Sequence, residues 1–551
     1  MIILGVADGP DASAALVVNG TLVASVAQER IDRERHSRAF PSGAIDAVLD
    51  VAGLRARDVD RVVFGGTSSH ASVLRARPDL RERVTPRWRE AYRGYQAALR
   101  ASGLYMVERD IARKLLTPKM RALGFEKADV DLYEHDRAHA TAAYRCQDRS
   151  DALVITLDTP GDGAAVTVSL GRHLHLERLF LQTSLAAISA FPGRVARALG
   201  VDPLHLAALA ATGSPPAALL DAFTREVGPV GDGFAAKGLV RDPDPLLASA
   251  SRHSPGDVAA AAQVAMEEAV AAFVRHHVAR ARLGHVVVAG ELFANPRLAA
   301  RLLAEPTVET LSVFPAMTDE GLAIGAALGV AGTAMHHLPD IGLGPRYTDT
   351  HCYKALSVAS LPRDKVDDPE RTAAALVAAG RTVARFDGGV EIGPRALGNR
   401  TVLFRADDVA LRSRALAALA RPAYAAVGCA LLEADAHAAF SGLERAESSA
   451  HARTLAPRAA AAFAQAHPGA IQPDGTGLPY VVARDAAPGM ATLLDELARL
   501  SGQRAVAQLD FAHAKEPIVA SPGDAIRAWR SSGVDALLLG NYLVERSAVA
   551  T

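Results

Sequence analysis

The sequence predicts an α/β protein whose N-terminal half is built twice, followed by a second α/β domain. Three observations predict it. Residues 1–29 read as strand, acidic loop, strand, tight turn, strand; residues 153–179 repeat that order at an offset of about 150; and a Pro-rich, charged stretch near 338–370 separates this half from a further segment with its own strands and helices. At 551 residues the chain is also too long for one ordinary core.

In chain order, "IILGVA" is an apolar strand, "DGPDAS" an acidic loop, and "AALVV" and "TLVASVAQE" flank Asn19-Gly20. Asn-Gly between β-branched runs signals a hairpin, because a type I′ turn needs positive φ at both central positions. Placing Asp8 on Asp158 also superposes Pro10 on Pro160 and Ala14-Ala15 on Ala164-Ala165. Such a duplicated strand, Asp-turn and hairpin unit resembles the actin-like ATPase superfamily, in which backbone N–H groups of the two turns cradle phosphates across a cleft. Between the copies, the charged amphipathic stretch 83–120 reads as an exposed helix pair. Further on, "HVVVAGELFANPRLAARLL" (285–303) reads as buried strand, Gly turn and helix start. "DEGLAIGAALGVAG" (319–332) opens a small-residue helix directly after Asp319, and such an N-terminus suits an anion or a carboxylate aimed into a cleft. These readings give domains at 1–345 and 371–551 with a linker at 346–370.

Composition narrows the function classes. Sixty basic and 61 acidic residues nearly cancel, so neither a nucleic-acid surface nor an acidic tail is expected. Cys146, Cys352 and Cys429 are isolated, which argues against a disulfide framework or zinc knuckle and for a reducing cytoplasm. No run approaches the ~20 apolar residues of a membrane span.

Two stretches carry candidate chemistry. His135 and His139, four apart in "YEHDRAH", stack on one helix face, and Asp158 and Asp319 stand where the duplicated fold aims side chains into its cleft. Together they form a nitrogen and oxygen set suited to iron, manganese or zinc rather than calcium. In "GGVEIGPRALGNRTVLF" (388–404), glycines including Gly393 and Gly398 lie among Arg395, Asn399 and Arg400, a loop able to hold phosphate or carboxylate.

With these residues assembled, the chain resembles, nearly end to end, the O-carbamoyltransferase family of antibiotic biosynthesis that also holds nodulation protein U. The resemblance runs through "DASAALVVNGTLVASVAQERIDRERH" with Glu29, Arg30 and Arg33, the helix "EHDRAHATAAY", the strand "LVITLD", "GELFAN", "TDEGLAIGAAL", the signature "GPRALGNR", and "PDGT", "EPIV" and "SSGVDALLLGNYL". It implies a Kae-type actin-like domain, holding iron or a similar metal on His135, His139, Asp158 and Asp319, that moves a carbamoyl group to a hydroxyl or amine of a small natural product. A YrdC-like C-terminal domain would make the carbamoyl-adenylate from carbamoyl phosphate and ATP with Mg. Asp11, Arg395, Asn399 and Arg400 are then the catalytic candidates, and Gly290, Asn295, Gly321, Gly393 and Gly398 the nucleotide-binding ones. A homodimer, or association with an intact carbamoyltransferase, is the partner expectation, with no nucleic acid and no membrane.

The chain departs from that family at several positions. Pro10 stands where the pattern has an imidazole fit to act as base, "PLHLAALAATG" lacks the expected Glu and Lys, Ala425 and Leu478 replace arginines, and "QLDFAHA" replaces Asn-Thr-Ser-Phe-Asn. Charge-assisted hydrogen bonds are each worth about 1.5 to 3 kcal/mol, so these losses weaken a phosphate site. The alternative expectation is therefore a divergent member that has lost adenylate synthesis and acts as a partner protein or in a related acyl transfer.

Overall fold

The computed structural model describes residues 1–67, 86–183, 187–235, 252–332, 335–336, 338, 340–447, 453–513 and 515–546. It divides into two compact units, one of Met1–Gln28 with His36–Leu338, the other of Glu29–Arg35 with Pro339–Thr551.

The first unit contains the duplication. Strands β1 (Ile2–Ala7), β2 (Ser13–Val18), β3 (Thr21–Ala27), β4 (Arg61–Gly65) and β5 (Asp129–Tyr133) form a sheet in the order β3-β2-β1-β4-β5. Its hairpins are antiparallel and the β1, β4 and β5 pairings parallel. The second copy uses β6 (Asp151–Gly161), β7 (Ala164–Arg172) and β8 (His175–Thr183). After the two-residue strands β9 (Pro229–Val230) and β10 (Gly233–Phe234), it adds β11 (His285–Ala289) and β12 (Thr310–Val313). Its order, β8-β7-β6-β11-β12 with the same pattern of antiparallel and parallel pairs, is that of the first copy. The repeat seen as a string of turns and strands is thus a repeat of topology.

Local chemistry explains the turns. Asn19 and Gly20 both take positive φ, as a type I′ turn requires, and His173 and Leu174 do the same between β7 and β8 without a glycine. Leu4, Val6, Leu16, Val26, Val48 and Phe64 pack one core, into which Ala112, Leu116 and Met120 project from the helix Tyr105–Ala122. That helix and Pro86–Ser102 are the expected helix pair, so one of its faces is core rather than exposed. Residues 83–85 of the stretch lie outside the described residues. The small-residue helix Leu322–Ala331 is buried because its glycines let backbones meet: a Cβ on Gly325 would stand 1.9 Å from the carbonyl oxygen of Ala138.

The second unit holds one eight-stranded mixed sheet. Its strands are β13 (Asp364–Lys365), β14 (Val383–Phe386), β15 (Arg400–Arg405), β16 (Gly428–Leu432), β17 (Leu478–Val482), β18 (Ala505–Asp510), β19 (Ala536–Leu539) and β20 (Tyr542–Glu545), in the order β13-β20-β19-β14-β15-β18-β16-β17. The expected linker 346–370 needs correction. It folds as the helix Asp349–Val358 and the edge strand β13, and it belongs to this unit. Its prolines and charges misled because they serve as helix punctuation: Asp368 caps the next helix by accepting from the amide of Arg371, and Pro369 occupies that helix's first turn.

Arg30 and Arg33 also belong to the second unit. Arg30 donates to the carbonyl of Gly393 at 2.7 Å, and Arg33 to the carbonyls of Ile518 and Pro517 at 2.7 and 2.5 Å.

Candidate functional site

Three elements of the first unit bring four side chains to one point. The helix His135–Arg145 starts directly after β5 and carries His135 and His139 one turn apart. Asp158 follows Leu157, the last residue of β6 in regular register with β7, and Asp319 opens a short turn that leads into the small-residue helix. Asp158 Oδ2 lies 2.8 Å from His135 Nε2 and 3.1 Å from His139 Nε2, and Asp319 Oδ1 lies 3.4 Å from each imidazole. One ligand atom from each of the four falls within 4.8 Å of every other.

The electrostatics match a cation site. Burial alone would lower the pKa of both imidazoles, but the two carboxylates outweigh it: His139 is pushed up to about 10 and His135 is also raised. Burial raises Asp319, whereas for Asp158 the imidazoles beside it overcome burial and hold it below the carboxylate range. Two imidazole nitrogens and two carboxylate oxygens within bonding reach of one point fit a borderline divalent ion of the iron, manganese or zinc class. His139 Nδ1 is buried without a hydrogen-bond partner, so Nε2 is the nitrogen that the helix aims at the cluster.

Supporting groups surround the four. Asp162 Oδ2 accepts from the amides of His135 at 3.0 Å and Thr67 at 2.7 Å. Arg100 donates to Glu134 at 2.6 Å and Asp136 at 2.8 Å, while Arg178 lies 2.8 and 2.9 Å from the same two carboxylates, clamping the first turn of the histidine helix. Asp158 Oδ1 accepts the backbone N–H of Glu291 at 2.8 Å. The carboxyl of Glu291 is pushed up to about 7, by lost hydration first and then by Asp158, Asp319 and Asp11. The sequence reading missed Asp162, Arg100, Glu134, Asp136, Arg178 and Glu291. Asp136, between the two histidines, and Glu291, within "GELFAN", were the available signals.

The remaining candidates divide between the units. Asp11, at φ 50 in the loop after β1, lies 2.7 Å from Nδ1 of His36. Gly290, at φ 105, sits so close to Leu157 that a Cβ would stand 2.2 Å from its carbonyl oxygen, which brings Glu291 onto Asp158. Gly321 lies in the Asp319 turn. Asn295 caps the helix Pro296–Leu303, accepting from the amides of Arg297 and Leu298 and pairing with the amide of Gln263, so its side chain is committed to the fold.

Gly393, Arg395, Gly398, Asn399 and Arg400 form a loop of the second unit. Its backbone donors, expected to face a ligand, are met by the chain's own oxygens. Ala396 N–H donates to Asp510, Leu397, Asn399 and Arg400 N–H donate to Glu391 Oε1, and Gly398 N–H donates to Thr401. The Asn399 amide donates to the carbonyl of Gly389. The Arg400 guanidinium, fully buried over the ring of Phe386, donates to the carbonyls of Asp387, Gly388 and Asn399. These two side chains shape the loop.

Residues 2–227 and 239–328 match the family described as carbamoyltransferase N-terminus, and residues 374–546 match carbamoyltransferase C-terminus. The chain is 24% identical over 561 residues to nodulation protein NolNO of Sinorhizobium fredii, covering 97% of this chain and 79% of that protein. It is 26% identical over 432 residues to nodulation protein NolO of Bradyrhizobium diazoefficiens, covering 75% and 78%. Among solved structures it is similar to (R)-2-hydroxyglutaryl-CoA dehydratase component A of Acidaminococcus fermentans, at a TM-score of 0.36 and 16% identity, covering 60% of this chain and all of that one.

Proposed function

This chain belongs to the carbamoyltransferase family, and from that premise we propose that it transfers a carbamoyl group, by way of carbamoyl-adenylate, to a hydroxyl or amine of a small natural product. The observation that carries this reading is the His135, His139, Asp158 and Asp319 cluster, set at the turn of the second topological copy and at the head of the helix that packs on the first copy's sheet and on the histidine helix. In this reading the first unit is the Kae-type transfer domain and the second a YrdC-like domain in which water cleaves carbamoyl phosphate to carbamate and phosphate, and a carbamate oxygen then attacks the α-phosphorus of ATP and displaces pyrophosphate.

A divalent ion bound by the four residues would supply Lewis-acid stabilisation of the adenylate phosphate. The chain itself does the rest. Arg100, Arg178 and Asp162 hold the histidine helix in place. Asp11 accepts from Nδ1 of His36, an arrangement that offers an imidazole where Pro10 has none. The products are AMP and the carbamate of the acceptor.

A second reading has its own support. The loop 396–400 already fills its donors with Glu391, Asp510 and Thr401, and Ala425 and Leu478 offer no charge. Under it the second unit makes no adenylate, and the chain acts beside an intact carbamoyltransferase. Pyrophosphate release from ATP, with and without carbamoyl phosphate, decides between them. Carbamoyl-phosphate-dependent release supports the first reading, and its absence in a metal-loaded protein overturns it in favour of the second.

A further inference from the structure

The helix Tyr105–Ala122 carries two apolar stripes. One, through Ala112, Leu116 and Met120, is buried in the core of the first unit. The other runs along the opposite side, from the N-cap Leu104 through Val107 and Ile111 to Pro118, residues three, four and seven apart and so in line on a helix. Leu104 is 56% exposed, Val107 58% and Ile111 45%. Among the described residues, 15 large hydrophobic side chains are exposed, and six of them fall from Tyr95 to Leu123. Single exposed apolar residues are ordinary on any surface, whereas a contiguous stripe, here about 21 Å of helix, marks a contact face.

The charges along the stripe say what covers it. Asp110 and Lys114, one turn apart and both exposed, flank it on the same edge. Within the chain Asp110 meets only solvent-exposed Arg113, at 3.5 Å, a pairing of little worth by itself. An anionic lipid surface would be repelled by Asp110, and a protein surface of one sign would meet either Asp110 or Lys114 with its own charge. A second copy of the same helix fits both. Laid antiparallel about a two-fold axis beside Ile111 and Ala112, the two helices keep like edges together, so Asp110 of each copy falls level with Lys114 of the other. The match is made twice, Val107 of each copy lies over the Pro118 turn of the other, and the two Ile111 side chains meet at the axis.

We propose that the stripe of Leu104, Val107, Ile111 and Pro118 is the face by which two copies of this chain associate, helix against antiparallel helix, with Asp110 of each copy paired to Lys114 of the other. The inference rests on this helix and is independent of the carbamoyl-transfer reading.

The test is sedimentation equilibrium of the full chain over a range of concentrations. The unaltered chain should form a dimer, and Ile111→Asp, which sets a charge on both sides of the axis, should raise its dissociation constant about 100-fold or more. Asp110→Lys and Lys114→Asp should each weaken association about tenfold by bringing like charges together, and the double variant carrying both should restore it. Such rescue separates a contact between copies from a structural effect within one. Circular dichroism of every variant should match that of the unaltered chain, since each position is exposed in the single copy. A monomer at all concentrations, a dimer indifferent to Ile111→Asp, or charge reversal without rescue overturns the proposal. So does a monomer that binds phosphatidylserine vesicles through Ile111. Should Ile111→Asp fail to fold, the charge-reversal series, confined to exposed polar positions, carries the measurement.

Discussion

Gly161 and His135 approach so closely that no side chain fits between them: a Cβ on Gly161 would stand 2.3 Å from Nδ1 of the imidazole. The metal-type cluster therefore depends on a residue with no chemistry of its own. Gly161→Ala should displace the ring and lower metal affinity about 10- to 100-fold, the range seen when groups that orient ligands are lost. A competitive chelator titration measures this, and unchanged affinity would show that the ring is free to move.

Removing a ligand should do more. His139→Ala and Asp158→Asn each delete one of four donors, so metal content after purification and dialysis should fall to background by elemental analysis. Retention of stoichiometric metal by both variants would move the site elsewhere.

Without metal, the cluster should make stability depend on pH. His139 titrates near 10 in the fold against an ordinary 6.5. Its imidazolium thus stabilises the folded chain fully below about 6.5, and that contribution is lost as pH rises toward 10. Asp158 is shifted the other way, so its contribution is present above about 4 and fades in acid. Chelator-treated protein should lose unfolding temperature steadily from pH 7 to 10. Metal uptake should release protons, because the bound imidazoles must be neutral. A flat profile in that window would contradict the paired state described above.

The clamp on the histidine helix should be costly to break. Arg100 and Asp136 are both almost wholly buried, and Arg100→Met leaves two carboxylates facing Arg178 alone. A loss of about 3 to 5 kcal/mol is expected from denaturant unfolding. A change below about 1 kcal/mol would mean that solvent reaches the network.

Gly325→Val probes the helix contact at Ala138. With 1.9 Å between the new Cβ and a carbonyl oxygen, the two helices must part, at a cost of about 1 to 3 kcal/mol or more. The same substitution at Gly53, which has open space around it but positive φ, tests strain without overpacking.

What could be read from the sequence was what neighbours in the chain determine. Asn19-Gly20 announces its own turn, His135 and His139 their own spacing, and the Asp turns recur at a constant offset, so the duplication and the grouping of His135, His139, Asp158 and Asp319 were both visible. Partners far apart in sequence were not. Arg100 finds Asp136 across 36 residues and Asp510 finds Ala396 across 114, and nothing local to either foretells the meeting. The signature loop was recognised but its donors were assigned to a ligand, because a string of glycines and arginines does not reveal that Glu391 already satisfies three of the amides. The 346–370 segment was misread for a different reason: proline and charge mark helix starts as readily as they mark linkers.

Because Glu29–Arg35 folds with residues 339 onward, the two halves cannot be parted by one cut in the gene. A fragment beginning at Pro339 lacks the arginines that meet the carbonyls of Gly393, Pro517 and Ile518, and the complementary fragment carries them with nothing to meet. The chain is stitched rather than strung, and the second half on its own would be missing a thread that the first carries.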